Sequence, residues 1–245
     1  QASVTAIEQY RVRMLLANGA AFLLTGLLGF LTFRSIVRPI RALEESVKAI
    51  AAGDYSQEVP FATAADETGV LARSVDVLKQ GAAAREEQRW VKASAAALIG
   101  ELQGAASLAE FGQRLVSGLV PLLGGGVSGL YLLDEGTGRL RRNAAYGLAA
   151  EAAAADSFAL GEGLVGQCAR ERQPVRLDSL PPGYLRIASG LGEAAPVQAL
   201  AAPLLSREAL LGVLEVATFR PLRGRERALL DELLPVVAMS LEVLQ

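Results

Sequence analysis

The chain has 245 residues, room for one or two folded units at roughly 150 residues each. Its net charge of -2 favours neither nucleic acid nor an acidic partner, and its single cysteine excludes an internal disulfide framework and fits a reducing compartment. With no histidine, the chain carries no imidazole base, phosphohistidine acceptor or histidine ligand for haem, and a tetrahedral zinc site is nearly excluded.

Hydrophobic residues make up 51% of the chain, and much of that excess is local. From Met14 to Phe33 the sequence "MLLANGAAFLLTGLLGFLTF" carries no charge and is bracketed by Arg13 and Arg34. Twenty residues at about 1.5 Å each match a hydrocarbon core of roughly 30 Å. The run is too long for a signal-peptide core and is followed by arginines rather than a cleavage site. It is expected to be a transmembrane helix at 14–33, with residues 1–13 ending an extracytoplasmic segment. Arg34, Arg38, Arg41 and Lys48 after the span outnumber Arg11 and Arg13 before it, which places the C-terminal side in the cytoplasm. Ala17, Ala21, Thr25 and Gly29 recur at four-residue spacing, as in helices that pack closely, and equally as in any Ala/Gly-rich helix. The chain opens on glutamine, which reads as a fragment of a longer protein.

Beyond the span, Ile36, Ile40, Leu43, Val47 and Ile50 are spaced 4, 3, 4, 3, the seam of a coiled coil. Pro39 sits in the first turn, where its missing N–H costs little, and Gly53 ends the helix. A connector with apolar Tyr55 and Val59 follows. Asp66 is placed to cap a second helix whose Leu71, Val75 and Leu78 repeat the seam. Two such helices cannot bury both seams alone, whereas two copies of the pair can, which predicts a homodimer.

Pro39, the "IAAGD" ending at Asp54, Tyr55, Val59 and "DETGVLARSVDVL" at 66–78 resemble a HAMP linker, over 34–85. The resemblance implies a parallel four-helix bundle in the dimer. It makes Pro39, Glu67 and Gly69 the signalling positions, with Glu67 holding the start of the first helix. Thr68 departs from the aliphatic residue usual there, and a polar residue loosens that layer.

From Ala72 to about Leu122 the chain is rich in helix formers, which predicts a long connecting helix, 86–122, that also contributes to the dimer. After Trp90 it reads as the first helix of the next domain. The Gly124–Gly126 triplet lacks the lysine of a P-loop and reads as a turn. "VSGLYLL" and "RLRRNAAYGL" read as a hairpin, "GEGLVGQCARERQ" as a helix, and "PVRL" as a short strand. Residues 178–196 read as a long loop. "VQALAAPLL" and "ALLGVLEVATF" read as two apolar strands, and 223–244 as a closing amphipathic helix.

"GLYLLDEGTGRL", "LGEGLVGQCARERQPVRL", "APLL" and "LLGVLEVATF", in this order, resemble a GAF domain at 123–245, with a first helix from about 90. This implies an α+β fold with a five- or six-stranded antiparallel sheet, helices on one face and a pocket under the loop on the other. Asp178, Tyr184, Arg186 and Glu193 are the candidate contacts for an unknown small ligand, weighed against a loop closed by its own ion pairs, and the second reading is favoured. Cys168 is weighed as a bilin attachment site against a buried structural thiol, and the second reading is favoured. No cofactor, metal site or catalytic residue is expected. The HAMP–GAF order resembles the membrane-sensor part of a bacterial hybrid sensor histidine kinase. That implies an inner-membrane protein with HAMP and GAF units in the cytoplasm. It also implies a kinase outside these residues and a response regulator as that kinase's partner. A membrane-anchored small-molecule receptor, or the relay of a chemoreceptor or cyclase, are the alternatives.

Overall fold

The computed structural model describes residues 2–148, 156–181, 183–189 and 192–244. The chain divides into two compact units, Gln1–Glu86 and Glu87–Gln245.

The first unit opens with helix α1, Ala2–Thr32. A π-helical turn, Phe33–Val37, leads directly into α2, Arg38–Ala51. One extra residue in that turn rotates the face α2 presents relative to an unbroken α-helix. Pro39 stands in the first turn of α2 and is buried. α2 stops where Gly53 adopts φ +85°, a conformation that favours glycine, and Asp54 then closes a turn through Ser56.

Helix α3, Glu67–Leu102, starts on Asp66, whose Oδ1 accepts a hydrogen bond from the Gly69 N–H at 3.0 Å. Gly69 is buried because the connector crosses it. A Cβ there would lie 1.8 Å from the Ala64 carbonyl oxygen. Arg73 holds the same stretch by donating to the carbonyls of Ala62 and Ala64. Leu43 of α2, Val59 of the connector and Ala72 and Val75 of α3 form this unit's small core.

The helix expected to run unbroken to Leu122 is interrupted after Leu102. Ser107 caps a separate helix, α4, Leu108–Leu122, by accepting from the Glu110 N–H, while the Glu110 carboxylate accepts from the Ala106 N–H. Ser-Leu-Ala-Glu is the capping-box sequence, with the Glu110 carboxylate reaching one residue beyond the cap to the Ala106 N–H.

Among the described residues the second unit has eight strands: β1 Gly126–Asp134, β2 Arg139–Tyr146, β3 Ser157–Phe158, β4 Val175–Leu177, β5 Ile187–Ser189, β6 Gly192–Ala194, β7 Gln198–Ser206 and β8 Ala209–Thr218. Six form one antiparallel sheet in the order β3-β2-β1-β8-β7-β4. β5 and β6 form a small hairpin inside the segment expected to be irregular. Helix α5, Gly163–Glu171, and helix α6, Gly224–Leu244, complete the unit.

Alternation along the strands divides the sheet into two faces. Leu130, Leu204, Leu214 and Val216 face α4, α6 and the end of α3, where Leu115, Leu119, Leu229 and Leu233 are fully buried. Val127, Tyr131, Ala199, Val213 and Ala217 face the other way, toward α5 and the covering loops. Trp90 also packs against the first of these cores and lies under the Arg225 guanidinium, 4.7 Å from ring centre to carbon.

The start of α6 is fixed by a buried carboxylate. Glu226 is fully buried and pairs with Arg220 through two hydrogen bonds of 2.7 and 2.8 Å, and it accepts a third from the Arg223 N–H. Burial pushes its carboxyl up, and the hydrogen bonds from Arg220 and Arg223 outweigh that, so its pKa is lowered. Gln198 ties the same corner to the loop after β4, donating to Asp178 and accepting from the Leu222 N–H.

Two outcomes follow for the chain unfolded in denaturant and followed by the fluorescence of its single tryptophan, Trp90. Glu226→Ala strands Arg220 and is expected to destabilise the second unit by about 3 kcal/mol. Gly126→Ala, at φ +135° with Cβ 2.0 Å from the Ala217 oxygen, is expected to cost at least about 2 kcal/mol, whereas Gly100→Ala, in open space on α3, is expected to stabilise by about 0.5–1 kcal/mol.

Candidate functional site

The second face of the sheet carries a cavity of about 320 Å³. Its floor is Val127, Gly129 and Tyr131 of β1, Ala199 of β7, and Glu215 and Ala217 of β8. Leu164 and Val165 of α5 form a wall, and Leu148, Phe158, Tyr184 and Leu185 close over it. The volume exists because the floor is made of small residues. Gly129 and Ala201 are the cross-strand partners of Glu215 and offer it no covering side chain. Gly129 is also required by Tyr131, whose ring leans back so far that a Cβ at 129 would lie 2.8 Å from it. Phe158 holds that ring edge-on at 5.3 Å between centroids.

Of the four residues expected to contact a ligand, the structure places Tyr184 in the cavity lining. Asp178 pairs with Arg176 at 2.9 Å and accepts from Gln198, and Arg186 pairs with Glu193 across the β5–β6 hairpin. All three are therefore already paired, Asp178 with residues of β4 and β7 and the other two with each other. Cys168 is fully buried on α5 against the Tyr131 and Val165 cluster, and burial pushes its thiol up to about 12, so it stays protonated and unreactive. Among the described residues no group of three or more His, Cys, Asp or Glu is placed to hold a metal.

The residue that sequence reasoning passed over is Glu215. Its signal was present: one charge in the middle of the apolar strand "ALLGVLEVATF". The carboxylate has no hydrogen-bond or ion-pair partner among the described residues, and burial alone raises its pKa to about 7. Burial likewise raises the Tyr131 phenol to about 12, leaving it a neutral donor at physiological pH, and it raises Tyr184.

In the first unit Glu67 is exposed at the first position of α3 and has no hydrogen-bond partner within the single chain among the described residues. Leu43 and Val75 are buried, and Ile50 packs against them. Ile36, Ile40, Val47, Leu71 and Leu78 remain between 48% and 69% exposed.

The two family models that match this chain together mark a signalling module. The chain belongs to the GAF domain family, whose model matches residues 105–242, and a HAMP domain model matches residues 31–82. The fold is shared with the GAF domain of an Acinetobacter phosphoenolpyruvate-protein phosphotransferase at 22% identity and TM-score 0.53, covering 63% of this chain and 94% of that one. The corresponding Coxiella burnetii domain is similar at 22% identity and TM-score 0.53, covering 62% and 93%. A free methionine-R-sulfoxide reductase from Neisseria meningitidis, solved in complex with its substrate, is similar at 16% identity and TM-score 0.52, covering 63% and 89%. No curated protein matches the chain.

The raised pKa of Glu215 predicts a pH dependence. Its carboxyl is protonated in the folded protein up to about 7 but in the unfolded chain only up to 4.5. Stability from this group is therefore complete below 4.5 and is lost as pH rises through 7, by up to about 3 kcal/mol. The depressed carboxyls of Glu110, Asp134 and Glu162 act in the opposite sense and at lower pH, leaving this window to Glu215. Unfolding followed at Trp90 should show stability falling between pH 5 and 8, and Glu215→Gln should flatten that fall. An unchanged slope in Glu215→Gln would remove Glu215 as its source.

Proposed function

We propose that the chain is the relay portion of a membrane-bound two-component sensor histidine kinase. It passes a signal from the membrane through the HAMP helix pair and the GAF unit to a kinase supplied by residues outside this chain. The observation that carries this reading is the uncovered seam of the first unit. Ile36, Ile40, Val47, Leu71 and Leu78 follow the heptad spacing, yet one chain leaves them exposed while Leu43 and Val75 are buried. A second copy, applied about a twofold axis, supplies the missing side of each layer. Such a bundle relays a signal if two packings lie within a few kcal/mol of each other, and Thr68 in place of an aliphatic residue favours that closeness.

Helix α1, which opens this unit, supports an anchor in the bacterial inner membrane. It contains a stretch long and apolar enough to cross a bilayer, and none of that window is buried in the protein. The basic residues after the span support a cytoplasmic HAMP and GAF pair. With no histidine in the chain, the kinase's phosphoacceptor and its contact with a response regulator lie beyond these residues.

A second reading, in which the GAF unit is itself a small-molecule receptor, is favoured by the cavity and by the unpartnered carboxylate on its floor. The two readings are compatible, since a ligand that rigidifies the GAF unit can bias the same relay.

Cysteine crosslinking in membranes tests the dimer. In a Cys168→Ala background, Ile40→Cys and Leu71→Cys are expected to give crosslinked dimer in high yield, and Lys48→Cys, on the solvated face, little. Equal yields at all three positions would discard the bundle. In the parent kinase, Pro39→Ala and Glu67→Ala are expected to shift basal autophosphorylation severalfold. A stimulus response identical to the unmodified protein in both variants would discard the relay.

A further inference from the structure

The cavity beside β8 has a chemistry that selects among ligands. Its described lining contains one ionisable carboxylate, Glu215, two phenols, Tyr131 and Tyr184, and otherwise apolar side chains with Gly and Ser; it contains no Lys or Arg. Three arginines on or beside the strands of this unit are already engaged. Arg142 pairs with Asp156, Arg139 with Glu162, and Arg186 with Glu193. Glu215 itself adds to the raised pKa of Tyr131 of β1, Tyr184 of the covering loop and the Cys168 thiol on α5, and these are the titratable groups coupled to it. None of them is a cation.

A carboxylate withdrawn from water without a partner is costly, and the cost is relieved by a cation or by N–H donors. Gly129 and Ala201 flank Glu215 across the ladder, so the space above the carboxylate is left for a ligand rather than filled by the protein. The aromatic rings of Tyr131, Phe158 and Tyr184 lie in the same lining, and ring faces attract cations. A phosphate or a second carboxylate would meet like charge there with nothing to neutralise it. At about 320 Å³ the cavity is at the small end of the range for ligand sites, roughly 300–1,000 Å³.

On these grounds we infer that the GAF cavity receives a small molecule with an apolar body and a protonated amine, the amine pairing with Glu215 and the apolar body lying against Leu164, Val165 and the rings. This rests on the receptor reading of the GAF unit, and it adds the ligand's class and excludes phosphate-bearing ligands such as nucleotides.

The test uses the full chain in lipid nanodiscs and a matched set of probes: phenethylamine, the neutral 2-phenylethanol, 3-phenylpropionate, and adenosine monophosphate. Binding is read by calorimetry and by the Trp90 unfolding midpoint. Phenethylamine is expected to bind and to raise the midpoint. The alcohol is expected to bind at least tenfold more weakly, and the two anions not at all. Glu215→Gln is expected to keep its fold and lose at least tenfold in amine affinity. Tyr184→Ala, at an exposed position of the cover, is expected to weaken binding severalfold with Glu215 intact. Tighter binding of the alcohol or of either anion, or amine binding unaffected by Glu215→Gln, would overturn the amine assignment and leave the receptor reading standing. Binding of no probe from any class would overturn both.

Discussion

The pairing of β8 between β1 and β7 is the constraint on which the second unit depends. Its register sets Gly129 and Ala201 on either side of Glu215 and Leu130 and Ala202 on either side of Leu214. Because adjacent residues of a strand point to opposite faces, Leu214 enters the helix-packed core and Glu215 enters the cavity. A slip of one residue would put a carboxylate among fully buried leucines and leave the leucine in the cavity. One ladder therefore supplies both the stability of the domain and the polarity of its cavity. The Arg220–Glu226 pair, with its carboxylate buried, fixes where α6 begins in the turn that follows β8.

The two units solve the problem of apolar surface differently. The second buries its apolar strand faces within the single chain, against helices on one side and α5 with its loops on the other. The first has a core of four buried residues and leaves most of its heptad positions open. Its fixed points are polar and local: Asp66 on the Gly69 N–H, and Arg73 on two connector carbonyls. These hold the connector against the start of α3 without needing a large core. An element held this way retains its local geometry while its larger packing is left to a partner, which suits a bundle with two arrangements.

Local signals were legible in proportion to how local their causes are. Pro39, Gly53 and Asp66 announced the helix ends, because caps and left-handed turns depend on a few neighbouring residues. The strand pair of β7 and β8 announced itself by apolar runs around a short turn. The break before α4 was equally local, since the capping box at Ser107 and Glu110 lies in plain sequence, but the helix formers around it masked the signal. The β5–β6 hairpin was hidden because three-residue strands are too short to show a period.

The candidate site was less legible than the fold. Asp178, Arg186 and Glu193 stood out because charges in a long loop suggest ligand contacts, yet each finds a partner within its own corner of the fold. Glu215 was overlooked because its strand reads as core. By itself the sequence determined the order of elements, the membrane-length apolar run, the heptad seam and the absence of imidazole chemistry, since these depend on residue type and spacing. Only the tertiary structure decided which strand faces are covered, which charges are already paired and which carboxylate lines the cavity without a partner among the described residues. Those depend on which residues meet across the sheet, and no spacing along the chain encodes a cross-strand neighbour.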